Sequence, residues 1–201
     1  MKQRLNTQST KGFTIIELLI ATVVFSVVLL VVSGAIVQFG RSYYKGVVQT
    51  RTQDVARNIS QDVAQTIQFS RGAPAKSTIA PNQFVLCIGN KRYSYVIGQQ
   101  VGGLFKHGLV ADTPSPCAST SFDLALTSLP VGAREYLGEN MQLLKLDVIP
   151  TASGLYEVTV SVAYGANSDL NAAKDACNPI IIGGQFCAIS TLTTTVTSRL
   201  N

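Results

Sequence analysis

Glu17 is the only charged residue between Gly12 and Gly40. A charge inside a membrane span is disfavoured, less so near the end of the span than at its centre, and by default marks a functional position. No base lies within the run, so the partner must come from a chain terminus, another subunit, lipid headgroups or water. Elsewhere, residues able to do chemistry are sparse. Cys87, Cys117, Cys177 and Cys187 all follow the apolar run and none forms a CxxC pair. An even number at wide spacing reads as two disulfides, with three connectivities open. His107 is the single histidine, so a zinc or catalytic role lacks partner groups. Glu135 and Glu139 form a candidate carboxylate pair. Beside Arg134 and Gly138 they read more simply as solvated loop residues. Asn58-Ile59-Ser60 matches a glycosylation sequon but lies mid-helix. No nucleophile elbow, phosphate loop or HExxH occurs.

Around Glu17 the elements are legible. Residues 1–12 (MKQRLNTQSTKG) are polar and basic. Leu18 to Val37 is uncharged, long enough as a helix to cross a hydrocarbon core of about 30 Å. The run is rich in Val and Ile, yet only a closed backbone such as a helix can span lipid. Tyr43 and Tyr44, flanked by Arg41 and Lys45, read as interfacial anchors. The basic residues on both sides of the run leave its orientation open.

The helical pattern continues beyond the span. Val48, Val55, Ile59, Val63 and Ile67 recur on one face with Ala56 and Ala64 beside them, and Arg51, Asp54, Arg57, Asp62 and Gln65 fall largely on the other side. Gly34, Gly40 and Gly46 each weaken the join by about 1 kcal/mol relative to Ala. Gly72 and Pro74 end the helix. The period then changes to two. Phe84–Ile88 and Arg92–Ile97 read as strands around a Gly89-Asn90-Lys91 turn. Gln142–Ile149 and Leu155–Tyr164 flank PTASG, a second hairpin signal. Phe186–Leu200 reads as a Thr-rich last strand. Asp112–Cys117 and Gly165–Asn171 read as loops. The expected fold is therefore α+β: a long N-terminal helix, its second half packed on an antiparallel sheet.

The 201 residues suffice for one domain with an appendage. Net charge is +5, but Lys2, Arg4 and Lys11 lie in an acid-free start. From Ser70 onward nine bases face eight acids. The basic balance is thus mostly a leader effect and is poor evidence for nucleic-acid binding. Lys91-Arg92 at a hairpin tip offers two charges for phosphates, and a solvated turn is the simpler reading.

The stretch Lys11-Gly12-Phe13-Thr14-Ile15-Ile16-Glu17-Leu18-Leu19-Ile20 closely resembles the processing site of type IV prepilins and type II secretion pseudopilins. A basic leader, a glycine, an aromatic, a glutamate at fixed offset and a twenty-residue apolar run coincide. The order of long helix and cysteine-bearing sheet head also matches. Beyond the helix the resemblance is one of architecture.

The resemblance implies that a prepilin peptidase cuts between Gly12 and Phe13 and methylates the new amine of Phe13. Glu17 becomes the fifth mature residue, where the family carries its assembly glutamate, which faces the N-terminal amine of a neighbouring subunit. Two opposite charges that would each be unfavourable alone in an apolar bundle would then pair. The resemblance also implies a C-terminal disulfide loop, Cys177 with Cys187, leaving Cys87 for Cys117. The implied divisions are a leader at 1–12, a membrane and assembly helix at 13–37, an amphipathic continuation at 38–71 and a β-rich head at 72–201.

The expected role is structural rather than enzymatic and without a cofactor: a minor pilin-like subunit, with a secretion pseudopilin or competence pilin as alternatives. Expected partners are other pilin subunits, the prepilin peptidase, the pilus assembly platform and, before assembly, the cytoplasmic membrane with the head outside. The final location would be an extracellular pilus or pseudopilus. A different class also fits the residues, a membrane-anchored extracellular ligand-binding domain that does not polymerise. An ordinary signal peptide cut near Ser33-Gly34-Ala35, or a plain signal anchor, are the plainer readings of the N-terminus.

Overall fold

The computed structural model describes residues 12–114, 117, 122–129, 131–152, 154–178 and 186–199. Residues 1–11, all but the last of the expected leader 1–12, lie outside them. Helix α1 runs from Ile15 to Phe69 without a break, through Gly34, Gly40 and Gly46. The chain divides into two compact units, Met1–Tyr43 and Tyr44–Asn201.

In the first unit the apolar side chains of α1 face outward all round. Phe13 is 80% exposed, Leu30 74% and Phe39 78%. Such a helix is apolar and long enough to cross a membrane.

In the second unit α1 is amphipathic. Val48, Thr52, Ala56, Ile59, Ser60, Val63 and Ile67 are buried, at the i, i+3, i+4 spacing of one helical face. The buried Thr52 hydroxyl donates to Val48 O at 2.8 Å, so it enters the stripe without an orphaned polar group. Ala56 is fully buried in the stripe and Val55 only half-buried, while Asp62, expected on the polar side, is half-buried because Lys91 pairs with it.

Eight strands follow: β1 (Ala75–Ala80), β2 (Gln83–Ile88), β3 (Lys91–Val96), β4 (Leu109–Asp112), β5 (Arg134–Glu135), β6 (Met141–Ala152), β7 (Leu155–Tyr164) and β8 (Ala188–Thr197). They form two antiparallel sheets, β1-β2-β3-β4-β5 and β6-β7-β8. The sheets meet where Ile97 bridges to Leu143, with Gly98 N–H donating to Leu143 O at 2.8 Å. The helix stripe shares one core with Leu86, Ile88, Tyr93 and Tyr95 of the first sheet and Leu143, Leu146, Val158 and Val160 of the second. The fold is α+β, an N-terminal helix packed with antiparallel sheets.

Burial of a tyrosine requires a partner for its hydroxyl. Tyr95 is fully buried and donates to Leu146 O at 3.1 Å, which ties the two sheets together. The β2–β3 turn needs glycine at Gly89 for two reasons. Its φ is +58°, and a Cβ there would come within 2.8 Å of Ser70 Cβ, just beyond the end of α1.

The strand boundaries differ from the sequence reading in particular places. β1, β4 and β5 were not anticipated. β1 is a largely exposed edge strand without apolar alternation. β4 and β5 have four and two residues, too few to show a period. Strand β6 continues through Pro150 to Ala152 across two register shifts, so Pro150 and Thr151 belong to the strand rather than the turn. β8 is shorter at both ends than Phe186–Leu200.

Candidate functional site

The residues expected to serve processing and assembly, Gly12, Phe13 and Glu17, lie at the start of α1. Gly12, Phe13 and Thr14 precede the helix and are exposed. Thr14 is the N-cap, which places Glu17 at the third helical position. Thr14 N–H and Thr14 Oγ1 both donate to Glu17 Oε2, at 2.9 and 2.8 Å, and Glu17 N–H meets Thr14 Oγ1 at 3.3 Å. This is a capping box, in which two otherwise unpaired N–H groups of a helix start are satisfied reciprocally. A carboxylate there also sits at the positive end of the helix dipole. The sequence reading missed this, although Thr14-Ile15-Ile16-Glu17 spells the motif directly before an apolar run.

Two further polar side chains of the span, Thr22 and Ser26, are satisfied within the helix. Thr22 Oγ1 donates to Leu19 O at 2.9 Å, and Ser26 Oγ donates to Thr22 O at 2.8 Å. Those bonds let both hydroxyls sit in lipid. Phe13, Glu17, Ile20, Val24 and Val28 share one face and line a shallow groove along it. The groove therefore has a single polar point, Glu17, close to Phe13.

In the second unit the chemistry-bearing residues are held in internal pairs. Lys91 Nζ lies 2.7 Å from both carboxylate oxygens of Asp62 on α1. Tyr93 Oη donates to Asp62 Oδ2 at 2.6 Å and lies 2.9 Å from Thr66 Oγ1. Burial works to raise the Asp62 pKa. Hydrogen bonds from Lys91, Tyr93 and Tyr136 outweigh it and hold the carboxyl below the usual range. Burial and the Asp62 contact push the Tyr93 phenol well up.

Arg92 is paired with Asp112 through two guanidinium bonds. Lys91 and Arg92 are therefore not a solvated turn: their side chains are 26% and 12% exposed, and both are neutralised by a carboxylate.

Glu135 corrects a second reading. It lies on β5 rather than in a solvated loop, with a side chain 19% exposed. Its Oε1 accepts from Leu109 N, Tyr136 N and Leu137 N at 3.2, 3.1 and 2.9 Å. Its Oε2 lies 3.0 Å from His107 Nδ1. Burial raises the Glu135 pKa against the pull of these donors. His107 is thus a structural partner that fixes β5 to the segment before β4. Glu139 does not join this cluster and is exposed. Among the described residues no group of three or more His, Cys, Asp or Glu is placed to hold a metal.

Cys87 is bonded to Cys117 and Cys177 to Cys187. The first ties β2 to the segment after β4. The second closes a loop directly before β8. Tyr44 stands edge-on to Phe186, ring centroids 5.1 Å apart, so it is a packing residue of the second unit. Tyr43 is 77% exposed.

An outward-facing apolar helix that starts with a capped glutamate precedes a disulfide-bonded α+β unit, the arrangement expected of a pilin-type precursor. Residues 8–33 match the prokaryotic N-terminal methylation motif, which supports the resemblance of the N-terminal segment to type IV pilin and pseudopilin precursors. No curated protein and no solved structure matches the chain. The motif implies processing by a prepilin peptidase and assembly with other pilins. The apolar helix and the motif together point to membrane anchoring before assembly.

Proposed function

We propose that the chain is a minor pilin-like subunit of a type IV pilus or related filament. The precursor is cut between Gly12 and Phe13, and the Phe13 amine is methylated. The 13–37 segment holds the subunit in the membrane and then packs against the same segment of neighbours. Glu17 pairs with the Phe13 amine of an adjacent subunit, which sets axial register.

The observation that carries this reading is the first turn of α1. A carboxylate lies on the same face as Phe13, Ile20, Val24 and Val28, on a helix with no intramolecular cover there. Apolar packing supplies affinity without register, and a single charged pair restricts register. The assignment to a minor subunit rests on the long amphipathic helix with arginines after the span.

Peptide mass spectrometry of the mature chain tests it. The expected result is an N-terminal N-methyl-phenylalanine at position 13. A retained Met1, or a start after Ala35, overturns the reading.

A further inference from the structure

Sites for small molecules are concave, mostly apolar and largely pre-formed, with a few polar groups that fix orientation. The second unit has a cavity of about 550 Å³ at the C-terminal end of α1, beside the β2–β3 turn. All nine residues that line it belong to that unit. Its walls are fixed. Ser70 is packed so closely on Gly89 that no Cβ fits there. Arg199 N–H donates to Gln68 O at 3.2 Å, which ties the segment after β8 to the helix end. The Cys87–Cys117 bond anchors the segment after β4, where Thr113 lies.

The apolar part of the lining is Ile88, which is buried, and Phe69. Arg199 stands over the Phe69 ring, 5.8 Å from its centroid, yet Phe69 remains 63% exposed. The polar part is unused. Among the described residues the exposed side chains of Arg71, Asn90 and Thr113 make no hydrogen bond or ion pair. Lys91, also in the lining, is neutralised by Asp62.

These groups select one ligand chemistry. An anion would meet the negative, carbonyl end of α1, with Arg71 the one unpaired cation of the lining. A cation would meet Arg71 and Lys91. A wholly apolar ligand would strip water from Arg71, Asn90 and Thr113 without replacing those hydrogen bonds. A neutral ring with a C–H face and hydroxyls round its edge avoids all three costs.

We propose that this cavity binds a neutral pyranose, its C–H face against the Phe69 ring and its hydroxyls on Asn90, Thr113 and Arg71. The site is separate from the helix contacts of the proposed filament and stands without them.

Saturation-transfer NMR on the full-length chain tests this, in dodecylphosphocholine micelles, which carry no sugar. The probes are glucose, galactose, mannose and N-acetylglucosamine, each as the free sugar and as its methyl glycoside. N-acetylneuraminate is the anionic control. Transfer to the C–H protons of at least one neutral sugar is expected. A methyl glycoside stands for the end of a glycan chain and a free sugar for a small molecule, so the preferred form names the source. Phe69→Tyr keeps the ring and should bind as the wild type does. Phe69→Leu keeps apolar bulk without a ring and should weaken binding about fivefold. Asn90→Ala should weaken it too. Both side chains are exposed, and peptide mapping of the two disulfides checks folding. No transfer to any neutral sugar, stronger transfer to N-acetylneuraminate, or wild-type binding by Phe69→Leu each overturns the proposal.

Discussion

Thr14 and Glu17 exchange hydrogen bonds across the first turn of α1, the hydroxyl and N–H of Thr14 on one carboxylate oxygen and the N–H of Glu17 on the hydroxyl. The carboxylate that looks unpaired in the sequence has a partner three residues away. Before assembly, Glu17 is held by its own helix. In the proposed filament it remains a charge on an otherwise apolar face.

On this basis Glu17→Val should leave processing intact and block incorporation. Thr14→Val should also be processed but should fray the first turn, because the cap loses its side chain. Shear preparations of pili, probed for the variant, measure incorporation. A Glu17→Val chain present at the wild-type level refutes the register role.

Gly12→Val should accumulate uncut precursor. A peptidase at the membrane needs close access to an extended backbone, and glycine has no side chain in the way. Whole-protein mass shows it as a species heavier by the leader. Normal trimming would count against Gly12 as the cleavage residue.

Asp62→Asn should destabilise the second unit by about 1–2 kcal/mol near neutral pH, a figure already reduced for the pair's partial exposure. The sign with pH follows from linkage. The folded pKa of Asp62 lies below its ordinary value of 3.8, so between the two the unfolded chain binds more protons. The stabilisation is complete above the ordinary value and disappears as pH falls through the folded one. Denaturant midpoints of wild type and variant should therefore converge in acid and separate above about pH 4. A constant gap down to the acid limit contradicts this.

Glu135→Ala should cost about 2–3 kcal/mol by removing the side-chain acceptor of the Leu109 and Leu137 N–H groups, whereas Tyr136 N–H keeps Leu109 O at 3.1 Å. Glu135→Gln keeps an acceptor and should cost less. Urea unfolding resolves the two. Equal midpoints for Ala and Gln would show that the backbone bonds contribute nothing measurable.

The two disulfides should differ. By loop entropy, the bridge spanning 30 residues (Cys87–Cys117) is worth about 3.6 kcal/mol and the one spanning 10 (Cys177–Cys187) about 2.7 kcal/mol. Paired serine substitutions, followed by thermal unfolding, should rank in that order. The reverse order would mean that native packing, not loop length, dominates.

Local patterns carried much of the molecule. The run from Lys11 to Ile20 carries the methylation motif through covalent neighbours at set offsets. The apolar span and the stripe from Val48 to Ile67 follow from helical period, and β7 from its alternation at Tyr156, Val158, Val160 and Val162. Each signal lies within one element, so reading it requires no knowledge of what packs against it. Thr14 belongs here too, since its capping box is written in four adjacent residues.

The tertiary structure decided the pairings between elements. Lys91 meets Asp62 across 29 positions and His107 meets Glu135 across 28. Nothing local separates such residues from solvated ones, because their burial comes from a sheet folded over a helix. β1, β4 and β5 were invisible for the same reason: short or exposed strands carry little apolar period, and their hydrogen bonds come from neighbours distant in sequence. The sequence by itself determined the motif at Lys11–Ile20 and where the apolar surface of α1 lies. Only the fold decided which charges are neutralised inside it.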